Sequence, residues 1–202
     1  MQRNNPPQKE DSWVGKTLGD RFQLVRPLGA GGMATVYLAR DRRLAREVAV
    51  KLLREDANSE INIAFRLLKE ARTIAQLMHP HIVSVYDVGN QEGLVYIVME
   101  LLKGSSIGGL LEVGHKLRPD FVLEVGRQIA SALTVPHQRG IVHRDIKPDN
   151  LFVVDSVAGI LCKLLDFSVA RVGPSEDTVR LARRGITFGT PHYMAPEQSR
   201  PH

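Results

Sequence analysis

The 202-residue chain has a single cysteine, Cys162, so it can form no internal disulfide and suits a reducing compartment; a cytoplasmic location is expected. Cys162 lies in the apolar run Ile160-Leu161-Cys162 and reads as a small buried hydrophobe. No apolar run approaches the roughly 18–20 residues of a membrane span. The N-terminus also lacks the apolar core of a signal peptide, so no membrane segment is expected in this chain. Aromatic residues make up 5% of the sequence, and the net charge of +5 is partly local, with Arg180, Arg183 and Arg184 close together. No aromatic-rich strand or recognition helix accompanies that cluster, so nucleic acid is not expected as a partner. No glycine turn is followed by Gly-Lys-Ser/Thr leading into a helix, which excludes a Walker A loop. There are no internal repeats. What remains, 43% hydrophobic and 24% charged, is the composition of a folded chain with a core, large enough for one domain or two small lobes.

Taken in order, residues 1–16 are polar, carry Pro6-Pro7 and form a flexible leader. Short runs that suit a pleated surface predict strands over 22–28, 35–40 and 47–53, the first two joined by Gly29-Ala30-Gly31-Gly32-Met33-Ala34. Helical spacing of Leu67, Ala71, Ile74 and Met78 predicts a helix over 61–78, closed by His79-Pro80. Glu70 falls on that apolar face and needs a partner, as does Lys51 inside an apolar strand; each is the natural partner of the other. Strands follow over 82–89 and 93–100. Lys103-Gly104-Ser105-Ser106 and Gly108-Gly109 read as a hinge between lobes. A second helix over 120–137 carries Phe121, Val125, Ile129 and Leu133 four apart, with Asp120 as N-cap after Pro119, and Pro136 closing or kinking it. Strands over 151–154 and 161–165 bracket a turn, and 166–197 has little periodicity.

Between the second helix and those strands lies His143-Arg144-Asp145-Ile146-Lys147-Pro148-Asp149-Asn150. Two acids, two bases, a histidine and an amide stand between apolar runs, and Pro148 cannot sit inside a ladder, so this is a tight loop at the edge of a core. The stretch resembles the catalytic loop of protein kinases, with Lys147 in the place typical of serine/threonine kinases. Five further segments occur in the kinase order between Phe22 and Glu197: the glycine turn, Lys51, Glu70, Asp166-Phe167-Ser168, and 189–197 ending Ala195-Pro196-Glu197. Gly-Gly-Met-Ala-Thr-Val-Tyr and Ala-Pro-Glu-Gln resemble the bacterial Hanks-type serine/threonine kinases.

That resemblance implies an α+β, two-lobed fold: an N-lobe of a five-stranded antiparallel sheet plus one helix over 17–102, hinge included, and a mainly helical, incomplete C-lobe over 103–202. It implies ATP and Mg²⁺ as cofactors and a protein substrate with Ser or Thr hydroxyls, with autophosphorylation between copies. Asp145 would be the catalytic base and Lys147 would offset charge on the transferring phosphoryl group. Lys51, paired with Glu70, would hold the α- and β-phosphates. Asn150 and Asp166 would be the metal ligands, hard oxygen donors for a hard cation. The backbone of Gly29, Ala30, Gly31 and Gly32 would approach the phosphates, with Ala34 where a third glycine is usual. Leu28, Val36 and Ala49 would line the roof of the adenine site, Phe152 its floor and Met99 its back, with backbone groups of Glu100 and Leu102 on the adenine edge. Arg144 would receive an activation-loop phosphate, His143 would support the loop, and Thr190 would bond near Asp145 and Lys147. Ser175, Thr178 and Thr187 are candidate phosphorylation sites, Thr187 first among them. Ser168 stands where glycine is usual, which restricts inward–outward flipping of that segment.

The sequence stops five residues after Glu197. Kinases of this family continue into helices that pack beneath the catalytic loop and supply an arginine to the glutamate at this position, so a truncated catalytic domain is expected. Two other readings stay open at this level: a nucleotide-binding but inactive module, and a fragment that folds poorly alone. All depend on Lys51, Glu70, Asp145, Asn150 and Asp166 meeting around one triphosphate-sized cleft.

Overall fold

The computed structural model describes residues 12–31, 34–53, 72, 75–166 and 191–198. They divide into two compact units: 12–31, 34–53 and 86–101 form the first, and 72, 75–85, 102–166 and 191–198 the second. The segment 75–85 thus groups with the second unit although it precedes 86–101 of the first.

The first unit is a six-stranded sheet of β1 (Thr17–Leu18), β2 (Phe22–Ala30), β3 (Ala34–Asp41), β4 (Arg46–Leu53), β5 (Val85–Gln91) and β6 (Leu94–Met99), in the order β1-β2-β3-β4-β6-β5. The expected five strands are all there. The sixth, β1, is only two residues long and pairs Thr17 with Gln23 and Leu18 with Phe22, too short to leave a period in the sequence. The strand expected over 82–89 begins only at Val85, because Ile82 makes a parallel bridge to Leu164 and is buried in the second unit.

Strand alternation sorts the first unit's side chains onto two faces. Tyr37 and Ala39 of β3, Val48, Val50 and Leu52 of β4, and Tyr96 and Val98 of β6 build one core with Leu18, Phe22 and Leu24. Each such side chain, once buried, contributes about 1.5–3 kcal/mol. Asp41 closes that core and is wholly buried. Its carboxylate accepts from Arg21 Nε at 2.8 Å and Nη2 at 2.7 Å, and from the backbone N–H groups of Arg43 and Leu44 at 3.1 and 3.3 Å. Arg46 Nε stands 3.8 Å away, its guanidinium stacked 3.9 Å from the Tyr86 ring centroid. Tyr96 fills the space that Gly19 and Gly89 leave open; a Cβ on either would collide with its ring or hydroxyl.

The helix expected over 61–78 falls mostly outside the described residues, but its end does not. Residues 75–76 are a turn, and Met78, expected on the packed face, is 87% exposed. Leu77 is buried instead. Pro80 disfavours helix in the residue before it, so the 3.6-residue period runs out short of Met78.

The second unit contains β7 (Gly104–Ser106), α1 (Ile107–Glu112), α2 (Pro119–Gln138), β8 (Leu151–Val154) and β9 (Leu161–Leu164). The residues expected to be a hinge are β7 and the first turn of α1. β7 pairs antiparallel with β8, which pairs with β9, so the glycines serve close packing rather than looseness. Gly104 has φ 139°, and a Cβ there would strike the Val153 carbonyl. Helix α2 starts one residue earlier than expected: Arg118 is the N-cap, Pro119 takes the first helical position, and Asp120 sits in the first turn paired with Arg118 at 2.9 Å. Pro136 is buried inside the helix, which continues to Gln138. Val125, Ile129 and Ala132 meet Leu77, Ile82 and Leu164 in the core. Gln128 fastens α2 to β9, donating to Ile160 O at 2.8 Å and accepting from Cys162 N–H at 2.7 Å. Among the described residues no helix is long and apolar enough to cross a membrane.

The buried charge at Asp41 generates the first prediction. Hydrogen bonding to Arg21 outweighs burial and lowers its pKa from 3.8 to about 2. A lowered folded value means stability that is complete above the unfolded pKa and lost as pH falls toward the folded one. Acid titration of the unfolding free energy should thus show a loss between pH 3.8 and about 2 that Asp41→Ala lacks. At neutral pH the same variant should be less stable by about 3 kcal/mol, since it strands Arg21 and two backbone donors. A flat acid limb in the parent chain would refute the assignment.

Candidate active site

The second unit carries the loop that holds Asp145. The loop 141–147 leads into a 3-10 turn, Pro148–Asn150, that opens β8. Asp145 is half-buried there. Its Oδ2 accepts from Lys147 Nζ at 3.1 Å and from Asn150 Nδ2 at 3.0 Å, and Asn150 Nδ2 also donates to the Asp145 carbonyl at 2.7 Å. Both partners of that amide are acceptors, so the donor must be its nitrogen, and Oδ1 of Asn150 remains as an oxygen donor. Among the described residues no hydrogen bond reaches Asp145 Oδ1. One carboxylate oxygen is thus anchored by two donors while the other can accept a proton.

Asp166 is brought to this loop through its neighbour. Leu165 N–H donates to the Asn150 carbonyl at 2.8 Å, and the Leu165 carbonyl accepts from His143 Nε2 at 2.8 Å. A carbonyl only accepts, so Nε2 carries the proton and Nδ1 is left to accept the Asp145 N–H at 3.3 Å. His143 is 1% exposed, and burial holds its pKa below 6.5 against the raising pull of the Leu165 carbonyl and the Asp166 and Asp145 carboxylates. The neutral ring is therefore a strut between loop and strand end. Both Arg144 and Asp166 lie in the left-handed region, with φ 63° and 59°.

Asn150 and Asp166 fit a divalent cation by donor chemistry: an amide oxygen and a carboxylate, both hard. Among the described residues no cluster of three or more His, Cys, Asp or Glu could hold a metal. Burial pushes the Cys162 thiol up to about 11, which leaves it inert as a nucleophile.

In the first unit, one sheet face gathers several of the expected residues. Register pairs Val36 with Lys51 and Lys51 with Ile97, and pairs Leu38 with Ala49 and Ala49 with Met99. Val36, Ala49, Lys51 and Met99 therefore share the face opposite the core, with Gly29 beside Val36. Lys51 is 9% exposed, held within the sheet. Leu38 and Ile97 stand on the same face and were not singled out from the sequence, because register is invisible in a single chain. Leu28 lies at a bulge of β2 and is 42% exposed; Ala30 pairs with Thr35, and Gly31 N–H donates to Ala34 O at 2.8 Å. Glu100 and Leu102 are half-buried, and Phe152 pairs with Lys163 in β8–β9. Glu197 is exposed on the 3-10 turn Pro196–Gln198. It is Gln198 that reaches the catalytic loop, at Arg144 O. Glu70, Gly32, Ser168, Ser175, Thr178, Thr187 and Thr190 lie outside the described residues.

A model of the protein kinase domain matches residues 22–200. The chain belongs to the protein kinase family. It is 40% identical over 187 residues to the serine/threonine-protein kinase PrkC of Bacillus subtilis, covering 93% of this chain and 28% of that protein. It is 40% identical over 188 residues to PknB of Mycobacterium tuberculosis, covering 91% and 29%. It is 37% identical over 182 residues to pkn2 of Myxococcus xanthus, covering 90% and 22%. Among solved structures it resembles the PknI kinase domain of Mycobacterium tuberculosis at 30% identity and TM-score 0.68, covering 78% of this chain and 62% of that one. The chain thus spans about a quarter of the length of the sequence relatives it matches. The fold is that of a protein kinase, whose family uses ATP and a divalent cation.

His143 offers a direct check. A folded pKa below 6.5 means that the stability lent by the neutral ring is complete above 6.5 and is lost as pH falls through the lowered value. Denaturant unfolding should find His143→Ala less stable than the parent by about 2–3 kcal/mol at pH 8. The gap should narrow on acidification, since only the parent has a proton to bind. A gap independent of pH would refute the neutral strut.

Proposed function

We propose that the chain is catalytic sequence of an ATP-dependent protein serine/threonine kinase, transferring the γ-phosphoryl group of ATP to Ser or Thr hydroxyls of proteins. The observation that carries this reading is the half-anchored carboxylate of Asp145, held on one oxygen by Lys147 and Asn150 beside the Leu165–Asp166 strand end. Asp145 Oδ1 takes the proton of the substrate hydroxyl. Lys147 lies against the same carboxylate and offsets charge on the group in transfer. Lys51 holds the nucleotide phosphates. Val36, Ala49 and Met99 offer the adenine an apolar face, with Leu28 and the backbone of Glu100 in the same unit. Mg²⁺, when bound by Asn150 and Asp166, neutralises charge on the phosphates. Arg144 is the receptor for the phosphate of a phosphorylated Thr187, a modification made by a second copy. The chemistry belongs to the cytoplasm, where ATP and reduced cysteine coexist.

Labelled phosphate from ATP should pass to the chain itself or to a generic protein substrate. Asp145→Asn should lower that transfer by at least about a hundredfold while leaving nucleotide affinity nearly unchanged. Equal transfer by parent and variant would overturn the base assignment. Lys51→Met should weaken nucleotide binding by roughly 2 kcal/mol, about thirtyfold in Kd, read by calorimetry. Unchanged affinity there would remove Lys51 from the nucleotide site.

A further inference from the structure

The peptide group joining Arg144 to Asp145 is bonded at both ends by side chains from different parts of the second unit. Its N–H, on Asp145, points to His143 Nδ1 at 3.3 Å. Its carbonyl, on Arg144, accepts from Gln198 Nε2 at 2.9 Å. The same Gln198 carboxamide takes the Ala195 N–H on Oε1 at 3.1 Å. The three contacts fix one another. Ala195 N–H can only donate and Arg144 O can only accept, so the amide has one orientation, and turning it over would set like against like at both ends.

The peptide needs such a hold. Arg144 has φ 63°, a conformation that costs a non-glycine residue about 1 kcal/mol and that bonds on the following peptide help to hold. Turning that peptide would withdraw the Asp145 N–H from His143 and swing the carboxylate that Lys147 and Asn150 anchor on one oxygen. His143 resists the motion from the buried side and Gln198 from the exposed side.

We propose that Gln198 is a positioning residue for the catalytic base: through the Arg144 carbonyl it locks the Arg144–Asp145 peptide and so aims Asp145. Gln198 touches neither substrate nor the reacting atoms. The inference rests on the reading of Asp145 as base, and it gives the residue after Ala195-Pro196-Glu197 a task in the reaction that Glu197, exposed on the same turn, does not share.

Gln198→Glu isolates the decisive bond, because it keeps an acceptor for the Ala195 N–H and replaces the donor to Arg144 O by a second acceptor. In the intact chain this variant and Gln198→Ala should lower kcat for phosphotransfer about tenfold, with KM for ATP and the thermal midpoint unchanged. Gln198→Glu placed on Asp145→Asn should cost little further, since both act through one group. Amide hydrogen exchange of the segment 141–147 should quicken in both Gln198 variants relative to the parent. Exchange as slow as in the parent overturns the proposal whether or not the chain transfers phosphate. Faster exchange with unchanged kcat overturns it too, by leaving Gln198 a purely structural contact. A parent that transfers no phosphate sinks the kinase reading, and hydrogen exchange alone then decides whether the peptide lock exists.

Discussion

The peptide of Leu165 is the joint on which the second unit's chemistry depends. Its N–H goes to the Asn150 carbonyl and its carbonyl to His143 Nε2, so neither end of this peptide is left unpaired at the edge of the core. One of those bonds comes from the turn that carries Asn150, and the other from the histidine two residues before Asp145. Two segments 15 and 22 residues upstream are thereby tied to the residue before Asp166. The arrangement also dictates a protonation state. A neutral, Nε2-protonated imidazole serves both Leu165 O and the Asp145 N–H, whereas an imidazolium would turn a proton against that N–H.

The two units stabilise their irregular parts in different ways. In the first, the sheet core is apolar and a single buried carboxylate, Asp41, gathers donors at its end. In the second, buried polar side chains link secondary elements directly: Gln128 joins α2 to β9, and His143 joins the loop to the end of β9. Such bonds contribute only about 1 kcal/mol each to stability, but leaving one end unmet costs more, so they specify position better than they stabilise.

Much of this was legible in the chain. The loop between 143 and 150, the glycine hairpin and the strand carrying Lys51 follow from residue types and their order. What failed did so for local reasons. Helical spacing ran on to Met78 because periodicity does not register that Pro80 and the burial of Leu77 end the helix sooner. Asp120 reads as a cap by type, yet a proline at the first helical position shifts the cap to the residue before it, Arg118. Gly104 and Gly108-Gly109 read as looseness, while the edge of β8 had backbone groups to satisfy and only a residue without Cβ could approach Val153 closely enough. Register was beyond reach altogether. That Val36, Ala49, Lys51 and Met99 share a face could not be read from β4, whose residues 48–52 are buried on both sides and show no alternation.

Two buried charges in the first unit show why burial alone does not mark a functional group. Asp41 is more buried than Lys51, yet only Lys51 was singled out from the sequence, on the strength of its apolar strand. The structure separates them by face. Asp41 follows Tyr37 and Ala39 on the core side of β3, and four donors from Arg21, Arg43 and Leu44 surround its carboxylate within the same end of the sheet. A charge so enclosed has nothing left to offer a ligand, and its lowered pKa is spent on stability. Lys51 lies one residue out of phase with the core positions of β4, in a row of Val36, Lys51 and Ile97 beside the row Leu38, Ala49 and Met99. The distinction is geometric, and it turns on whether the strand's alternation delivers the charge to the core or away from it.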